Sequence, residues 1–579
     1  MKILLAAVNA KYIHSCLAVY SLQNYARAKG QEVEIKEYTI NQQLDVILKD
    51  IYERKPNFLA FSCYIWNISM ILRISRELKK IMPDLQIWLG GPEVTYESDR
   101  MLKEHPWIDG IMRGEGEETF LELVKHFRCG KPDLEEIAGL TMRNSLDDVC
   151  LNKDRAPMDM SDIPFPYHNM KEFEHRLIYY ESSRGCPFSC SYCLSSIDKK
   201  LRFRSLDLVL PELQFFLDQK LPQVKFVDRT FNSNKNHART IWNYIIDHDN
   251  GVTNFHFEIA ADLLDEEDMA IFRRMRPGLI QLEIGVQTTN EEALKEIRRP
   301  MKFSHIAQVV NEIQSFQNIH QHLDLIAGLP YEGFDSFRKS FNDVYHLHPQ
   351  QLQLGFLKVL KGSLIWEKQD SYHLICQSEG PYEVLYTEWI DYQDVLQMKL
   401  VEEMVEVYYN STQFSEILRW VEEKETSLFD FFLELGSWYD RKFPEGISHS
   451  RMARYINFRE FLQERYPDES KLIDEILAFD YYLRENAKSR PSWKIEQEGG
   501  VARQIKLYDP LYDTVLSDYS EYDHKQIRRM THMEFFDFDL VEDRSKKACA
   551  ILFDYKKRDP LTGNASCIKI ELEEEIDGE

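Results

Sequence analysis

Cys186, Cys190 and Cys193 stand in one short segment, Arg184-Gly185-Cys186-Pro187-Phe188-Ser189-Cys190-Ser191-Tyr192-Cys193. The C-x3-C-x2-C spacing supplies three thiolates and no fourth. Three soft sulfur donors suit three irons of a cubane 4Fe–4S cluster and leave the fourth iron open to a small molecule. A structural zinc site wants four ligands in a closed tetrahedron, and no second C-x2-C or H-x3-H pair lies nearby. A disulfide staple is unnecessary in a protein of this length. With 10 cysteines in 579 residues, coincidence accounts for such a triplet in under about 1% of cases.

A cluster loop needs a scaffold, and the flanking sequence supplies alternating strands and helices. Residues 1–130 carry short apolar runs at Ile3–Val8, Phe58–Ser62 and Ile87–Leu89, with helical patterns at Leu17–Lys29 and Ile68–Ile81 between them. Buried parallel strands read this way, and the alternation predicts a Rossmann-like, doubly wound α/β domain with ligands at the carboxyl ends of its strands. The strand-end loops hold Asn9–His14, Ser62–Asn67, Gly90-Gly91-Pro92-Glu93-Val94 and Arg113-Gly114-Glu115-Gly116-Glu117-Glu118-Thr119. Residues 131–175 read as a linker broken by Pro157, Pro164 and Pro166.

Residues 176–370 repeat the pattern six times, with strands expected near Leu177–Ser182, Gln223–Val227, His256–Ala260, Leu279–Gly285, His322–Ala327 and Gln353–Val359. Six βα repeats predict a partial TIM-type (β/α)6 barrel, whose chemistry sits at the carboxyl ends of its strands. Those ends are polar: Asp228, then Glu258, then Glu283, Gly285 and Gln287, then Gly328, then Lys358. Residues 371–579 change character. Aromatic and acidic amphipathic helices such as Val395–Tyr409 and Ser450–Glu464 precede an expected hairpin, Lys547–Tyr555 with Ala565–Leu572, and an acidic tail, Glu573–Glu575, read as solvated. The expectation is a mostly helical cap domain.

The cysteine turn followed by five such strand ends in order resembles the radical S-adenosylmethionine (SAM) superfamily. Residues 1–130 resemble, over their whole length, the cobalamin-binding-type domain that precedes many of its members. The Asp-x-His-x-x-Gly element that gives some cobalamin proteins a histidine ligand is absent, which leaves cobalamin open. The last part resembles an uncharacterised extension in one branch of the superfamily.

The resemblance implies roles. Cys186, Cys190 and Cys193 would hold the cluster, and SAM would chelate its open iron. An electron from a low-potential donor such as flavodoxin or ferredoxin would then release a 5′-deoxyadenosyl radical. Tyr192 would lie beside the adenine, or pack under its loop. Asp228, Glu258, Glu283 and Gln287 would bind the amine, ribose or carboxylate of SAM, or instead bond substrate or cap turns. Gly285 and Gly328 would admit the nucleoside, and Lys358 would balance the SAM carboxylate unless it is a surface lysine. No residue is assigned to the substrate chemistry itself. The three-part architecture resembles the branch that includes queuine lyases, which implies a small-molecule substrate such as queuine, cleaved at the C–N bond of its substituent arm. The alternative is a cobalamin-dependent radical SAM methyltransferase, and a third class is a non-enzymatic iron–sulfur sensor.

Bulk properties narrow the partners. The net charge of −25 disfavours nucleic acid, whose binding draws on lysine and arginine at phosphates; Lys199, Lys200, Arg202 and Arg204 form one small basic patch, read as a solvated loop. No apolar run approaches the ~18 residues of a membrane span. The apolar start, Ile3–Val8, continues into Asn9-Ala10-Lys11-Tyr12 without a cleavage-like site and reads as a buried first strand. Scattered cysteines without a targeting segment point to a reducing cytoplasm.

Overall fold

The computed structural model describes residues 1–144, 146–444, 446, 449–487, 489–494 and 500–572; the tail Glu573–Glu575 lies outside them. The protein divides into two compact units, one of Met1–Ser340 with Leu354–Val395, the other of Phe341–Gln353 with Leu396–Glu579.

The first unit opens with β1 (Ile3–Asn9), β2 (Glu34–Thr39), β3 (Phe58–Ser62), β4 (Gln86–Gly90) and β5 (Gly110–Met112). All five are parallel, and the sheet order begins β2-β1-β3-β4-β5. Every residue of β1 and of β3 is buried, because helices cover both faces of a parallel sheet and neither face can be polar. The helix Ile68–Ile81 buries Ile68, Ile71, Ile74, Ser75 and Leu78, the three- and four-residue spacing that gives a helix one apolar stripe. The strand order reverses between β1 and β3, which opens a crevice at their carboxyl ends. The expected linker contributes structure of its own. β6 (Leu140–Arg143) extends the same sheet antiparallel to β5, and β7 (Val149–Leu151) pairs antiparallel with β6. Leu140, Thr141 and Met142 are buried there, and the prolines that mark a linker fall only after this hairpin.

The second sheet is built from β8 (Ile178–Tyr180), β11 (Gln223–Phe226), β12 (Asn254–Ile259), β13 (Ile280–Gln287), β14 (His320–Ala327) and β15 (Gln351–Phe356). Its order is β15-β14-β13-β12-β11-β8, open between the two edges. Pairings from β8 through β14 are parallel, as a partial (β/α)6 barrel requires. Two short ribbons complete the unit: β9 (Ser183–Arg184) pairs antiparallel with β10 (Arg202–Phe203), and β16 (Ile375–Cys376) with β17 (Val384–Tyr386).

The second unit is helical, with Ser415–Glu422, Leu428–Lys442, Arg451–Arg465 and Ser470–Arg484 as its main helices. The expected hairpin is present as β19 (Cys549–Arg558) and β20 (Ala565–Glu571). A third strand, β18 (Thr531–Phe536), joins β19 antiparallel. Its Met533, Glu534, Phe535 and Phe536 are all buried, so this short run of mixed polarity gives no alternation to find it by.

Candidate active site

The three cysteines lie on the loop between β9 and β10, and the two-pair ribbon closes its base. Gly185 turns the backbone at φ +91°, where a Cβ would lie 2.7 Å from the Lys200 carbonyl oxygen; only glycine fits both demands. Cys186 N–H donates to Asp198 O (3.1 Å), and Ser191 N–H to Ile297 O (2.9 Å). Cys186 and Cys190 are buried, Cys193 half-buried, and all three are free thiols. Cys186 Sγ lies 3.5 Å from Thr230 Oγ1. Arg299 Nη1 donates to Cys190 Sγ at 3.7 Å. Three unbonded thiols on one loop, one of them facing a guanidinium, form a donor set suited to a cluster's negative thiolates.

Arg299 is the residue that sequence spacing did not reveal. It follows the helix Glu291–Glu296 in the run Arg298-Arg299-Pro300. Its other guanidinium nitrogen bonds the Gly285 carbonyl oxygen. A Cβ on Gly285 would lie 2.1 Å from Gln287 Nε2 and 3.3 Å from Arg299 Nη2, so the missing side chain makes room for those two groups. Gln287 itself takes φ +71° at a register break between β13 and β14, a strained conformation for a residue with a side chain and one often found at functional sites. Tyr192 is packed beside this group. Burial pushes its hydroxyl up, against the pull of Arg299.

Asp228 is fully enclosed at the end of β11. Ser182 Oγ donates to its Oδ1 (2.7 Å), Ser182 N–H to its Oδ2 (3.0 Å), and Ser183 Oγ also donates to Oδ1. Burial raises the carboxyl to about 6 despite these bonds. Asp228 thus fixes the two serines that lead into the cysteine loop, and the structure gives it work as an anchor. Gly328 turns at φ +88°, and Val384 Cγ1 lies 2.7 Å from where its Cβ would be, so β17 fills the space beside it. Lys358 is exposed and forms a backbone bridge to Glu383. Among the described residues it shares no hydrogen bond or ion pair with the others. Glu258 and Glu283 are neighbours in register on β12 and β13 and belong to a polar lumen below the loop.

The basic patch after the cysteines offers little to phosphates. Arg204 is buried on Glu212 (2.5 Å), and Arg202 pairs with Glu115 (2.6 Å) and Asp198 (2.7 Å). The expected solvated loop is therefore a set of ion pairs, with only Lys199 and Lys200 exposed.

The carboxyl edge of the first sheet is tied to this loop. Arg184 Nη2 bonds Glu117 Oε1 at 2.6 Å, and Ser21 Oγ donates to the same oxygen at 3.0 Å. Burial alone would raise the Glu117 carboxyl, yet Arg184 holds it below its ordinary value. His14 Nδ1 lies 2.7 Å from the Tyr179 hydroxyl on β8. At the same edge Gly91 (φ +111°) lets its backbone approach Cys63, whose oxygen would be 2.5 Å from a Cβ. Tyr64 and Trp66 stack at 4.4 Å with planes 6° apart, and Trp66, Tyr12 and Ile13 are exposed. A shelf of exposed aromatic and aliphatic side chains at a switch point fits the apolar face of a large flat group.

Three families of known proteins match this protein in order along its length. The B12 binding domain matches residues 3–124, the radical SAM superfamily matches residues 180–344, and a protein family of unknown function (DUF4080) matches residues 370–553. The protein therefore carries a B12-binding domain followed by a radical SAM domain, in the order that the fold and the cysteine loop present them. Among curated relatives, the cobalamin-dependent radical SAM methyltransferase TokK of Streptomyces tokunonensis is 24% identical over 301 residues, 49% of this protein and 44% of that one. An uncharacterized methyltransferase, PH0819, of Pyrococcus horikoshii is 24% identical over 55% of this protein and 71% of its own length. The anaerobic magnesium-protoporphyrin IX monomethyl ester cyclase of Rubrivivax gelatinosus is 23% identical over 55% and 60%. The match thus spans under half of TokK. Among solved structures, the cobalamin-dependent SAM radical enzyme OxsB with aqua-cobalamin bound shares the fold with a TM-score of 0.58 at 14% identity, over 89% of this protein and 76% of that one. The radical SAM methyltransferase TsrM of Kitasatospora setae does so with a TM-score of 0.51 at 16% identity, over 63% and 77%. Among the described residues no helix is long and apolar enough to cross a membrane.

Proposed function

We propose that this enzyme binds cobalamin at the carboxyl edge of its first sheet and methylates a small molecule. One observation carries the reading. The B12-binding domain and the cysteine loop lie in one compact unit, joined through Glu117 and Arg184. A domain kept only as a scaffold has no need of an exposed aromatic shelf beside the neighbouring site. The relatives named above as methyltransferases support the same reaction class.

Cys186, Cys190 and Cys193 would hold the 4Fe–4S cluster, with Arg299 beside it, and Tyr64, Trp66, Tyr12 and Ile13 would face the corrin. When bound, the cluster and SAM supply one-electron cleavage of a sulfonium C–S bond, fed by a low-potential donor of the flavodoxin or ferredoxin kind. The protein's own part is positional. Asp228 fixes the loop entrance, Gly285 admits Arg299 and Gln287, and enclosure keeps water from the reacting centre. The lyase expectation, C–N cleavage of queuine, gains no support from the relatives, and methyl transfer replaces it as the main reading.

The test is anaerobic reconstitution of the full-length protein with iron, sulfide and hydroxocobalamin, then assay for retained corrinoid, S-adenosylhomocysteine and 5′-deoxyadenosine. Near-stoichiometric corrinoid with S-adenosylhomocysteine formation is the expected result. 5′-Deoxyadenosine and cleaved queuine without retained corrinoid would overturn methyl transfer in favour of the lyase.

A further inference from the structure

Below the cysteine loop, neighbouring barrel strands gather charged side chains into one lumen. Lys225 Nζ on β11 donates to Glu283 Oε2 at 3.0 Å, and His256 Nε2 on β12 bonds the same oxygen at 2.8 Å. On β14, His322 Nε2 and Asp324 Oδ1 lie 3.1 Å apart but off a hydrogen-bonding line, and neither atom has another partner. The His322 side chain is 7% exposed. Glu258, level with Glu283 across β12 and β13, makes no hydrogen bond among the described residues; its nearest cation is the exposed Arg229, at 4.0 Å.

The carboxylates inside are unequally partnered. Lys225 is held by Glu283, His322 faces Asp324 at 3.1 Å, and Glu258 has only the exposed Arg229 at 4.0 Å, so Glu258 is the carboxylate left without a close donor. A partly buried carboxylate without a hydrogen-bond donor is costly, and the His322–Asp324 contact lacks hydrogen-bond geometry, which leaves Asp324 Oδ1 open to a further donor. Such an arrangement is repaid when a ligand supplies the missing donors. Its height in the barrel is also fixed. Asp324 is paired in register with Gly285, whose carbonyl binds the Arg299 that contacts Cys190. The lumen therefore opens directly under the cluster loop.

We propose that this lumen is the substrate site, and that it takes a small organic cation with several N–H donors, an amine or amidinium, held by Asp324 and Glu258 with His322 beside them. The proposal rests on the radical SAM reading above and adds the substrate's chemical class. A divalent metal is the competing occupant, because ligand atoms of Glu283, His322 and Asp324 lie within 4.8 Å of one another. Lys225 decides against it: its ammonium stands on the Glu283 carboxylate where the metal would compete. An organic cation at Glu258 and Asp324 leaves that pair intact.

The test is calorimetric titration of the cluster-loaded, full-length protein with benzylamine and benzamidine, with benzyl alcohol and benzoate as shape-matched controls and manganese(II) as a metal probe. Both cations are expected to bind and the controls to bind at least about tenfold more weakly, with Asp324→Asn lowering cation affinity about tenfold. Glu258→Gln serves as a second variant should Asp324→Asn fold poorly, with the same loss expected. Absence of binding by either cation, equal binding of the controls, or one manganese(II) per molecule that Asp324→Asn abolishes would each overturn the proposal. Reductive formation of 5′-deoxyadenosine from SAM is measured in parallel. If it persists while the cations fail to bind, the lumen assignment falls and the radical SAM reading stands; if it is lost while they bind, the reverse holds.

Discussion

The guanidinium of Arg299 faces the sulfur of Cys190, Nη1 to Sγ 3.7 Å, while its other nitrogen holds the carbonyl of Gly285. One side group thus joins the cluster loop to the strand end of β13. Its charge has a consequence for electron transfer. A buried cation beside a thiolate ligand stabilises the reduced, more negative cluster. Arg299→Ala should lower the cluster midpoint potential by on the order of 50 mV, and Arg299→Lys should recover part of that. EPR-monitored redox titration checks it; an unchanged potential in Arg299→Ala would leave Arg299 only a structural part.

Gly185 sets the path of the loop. Gly185→Ala forces a Cβ to 2.7 Å from the Lys200 carbonyl oxygen at φ +91°, and the left-handed conformation adds about 1–2 kcal/mol. The variant should retain less than half the iron and sulfide of the parent after reconstitution while its far-UV circular dichroism stays the same. Full cluster content would show that the loop reroutes freely.

Glu93 joins the first sheet's edge to the segment after the barrel. Lys361 Nζ lies 2.9 Å from Glu93 Oε1, Tyr382 bonds the same oxygen, and the Glu93 carboxylate is only 3% exposed. Removing one partner of a buried pair costs about 3 kcal/mol because the other charge is left unsatisfied. Glu93→Ala should lower Tm by several degrees, and the double variant with Lys361→Met should recover most of the loss. Differential scanning calorimetry measures both.

Glu332 gives a pH signature of its own. It is wholly buried, with Thr288 Oγ1 (2.6 Å) and Ser340 Oγ (3.0 Å) donating to its Oε1. Burial pushes its carboxyl from the ordinary 4.5 up to about 7. The folded state therefore holds the proton more tightly than the unfolded state does. Its stabilising contribution is complete below pH 4.5, falls away between 4.5 and 7, and is level above. Glu332→Gln, which keeps an acceptor without the charge, should be more stable than the parent by about 3 kcal/mol at about pH 8 and equal to it at about pH 4.5. Thermal melts at the two pH values decide it, and an equal difference at both would refute the assignment.

Local patterns carried much of the architecture. Phe58–Ser62 and Ile68–Ile81 fall where the apolar runs and their spacing place them, because a strand buried on both faces and a helix buried on one each write their period into neighbouring residues. The hairpin β6–β7 is less legible, since it pairs with β5 from well upstream in sequence and a short run of mixed polarity announces no partner. β18 is hidden for the same reason.

The sequence by itself determined the chemistry that can be attempted here: three thiolates at fixed spacing, followed by strand ends in βα order, are a property of residue type and separation along the backbone. The tertiary structure decided which partners the polar groups near that loop take. Asp228 is spent on Ser182 and Ser183, Gly328 makes room for Val384, and Lys358 stays outside, whereas Arg299, far from the cysteines in sequence, is brought to Cys190. The partners of polar groups are set by packing and by where burial leaves a charge unpaired, and those quantities exist only once distant segments meet.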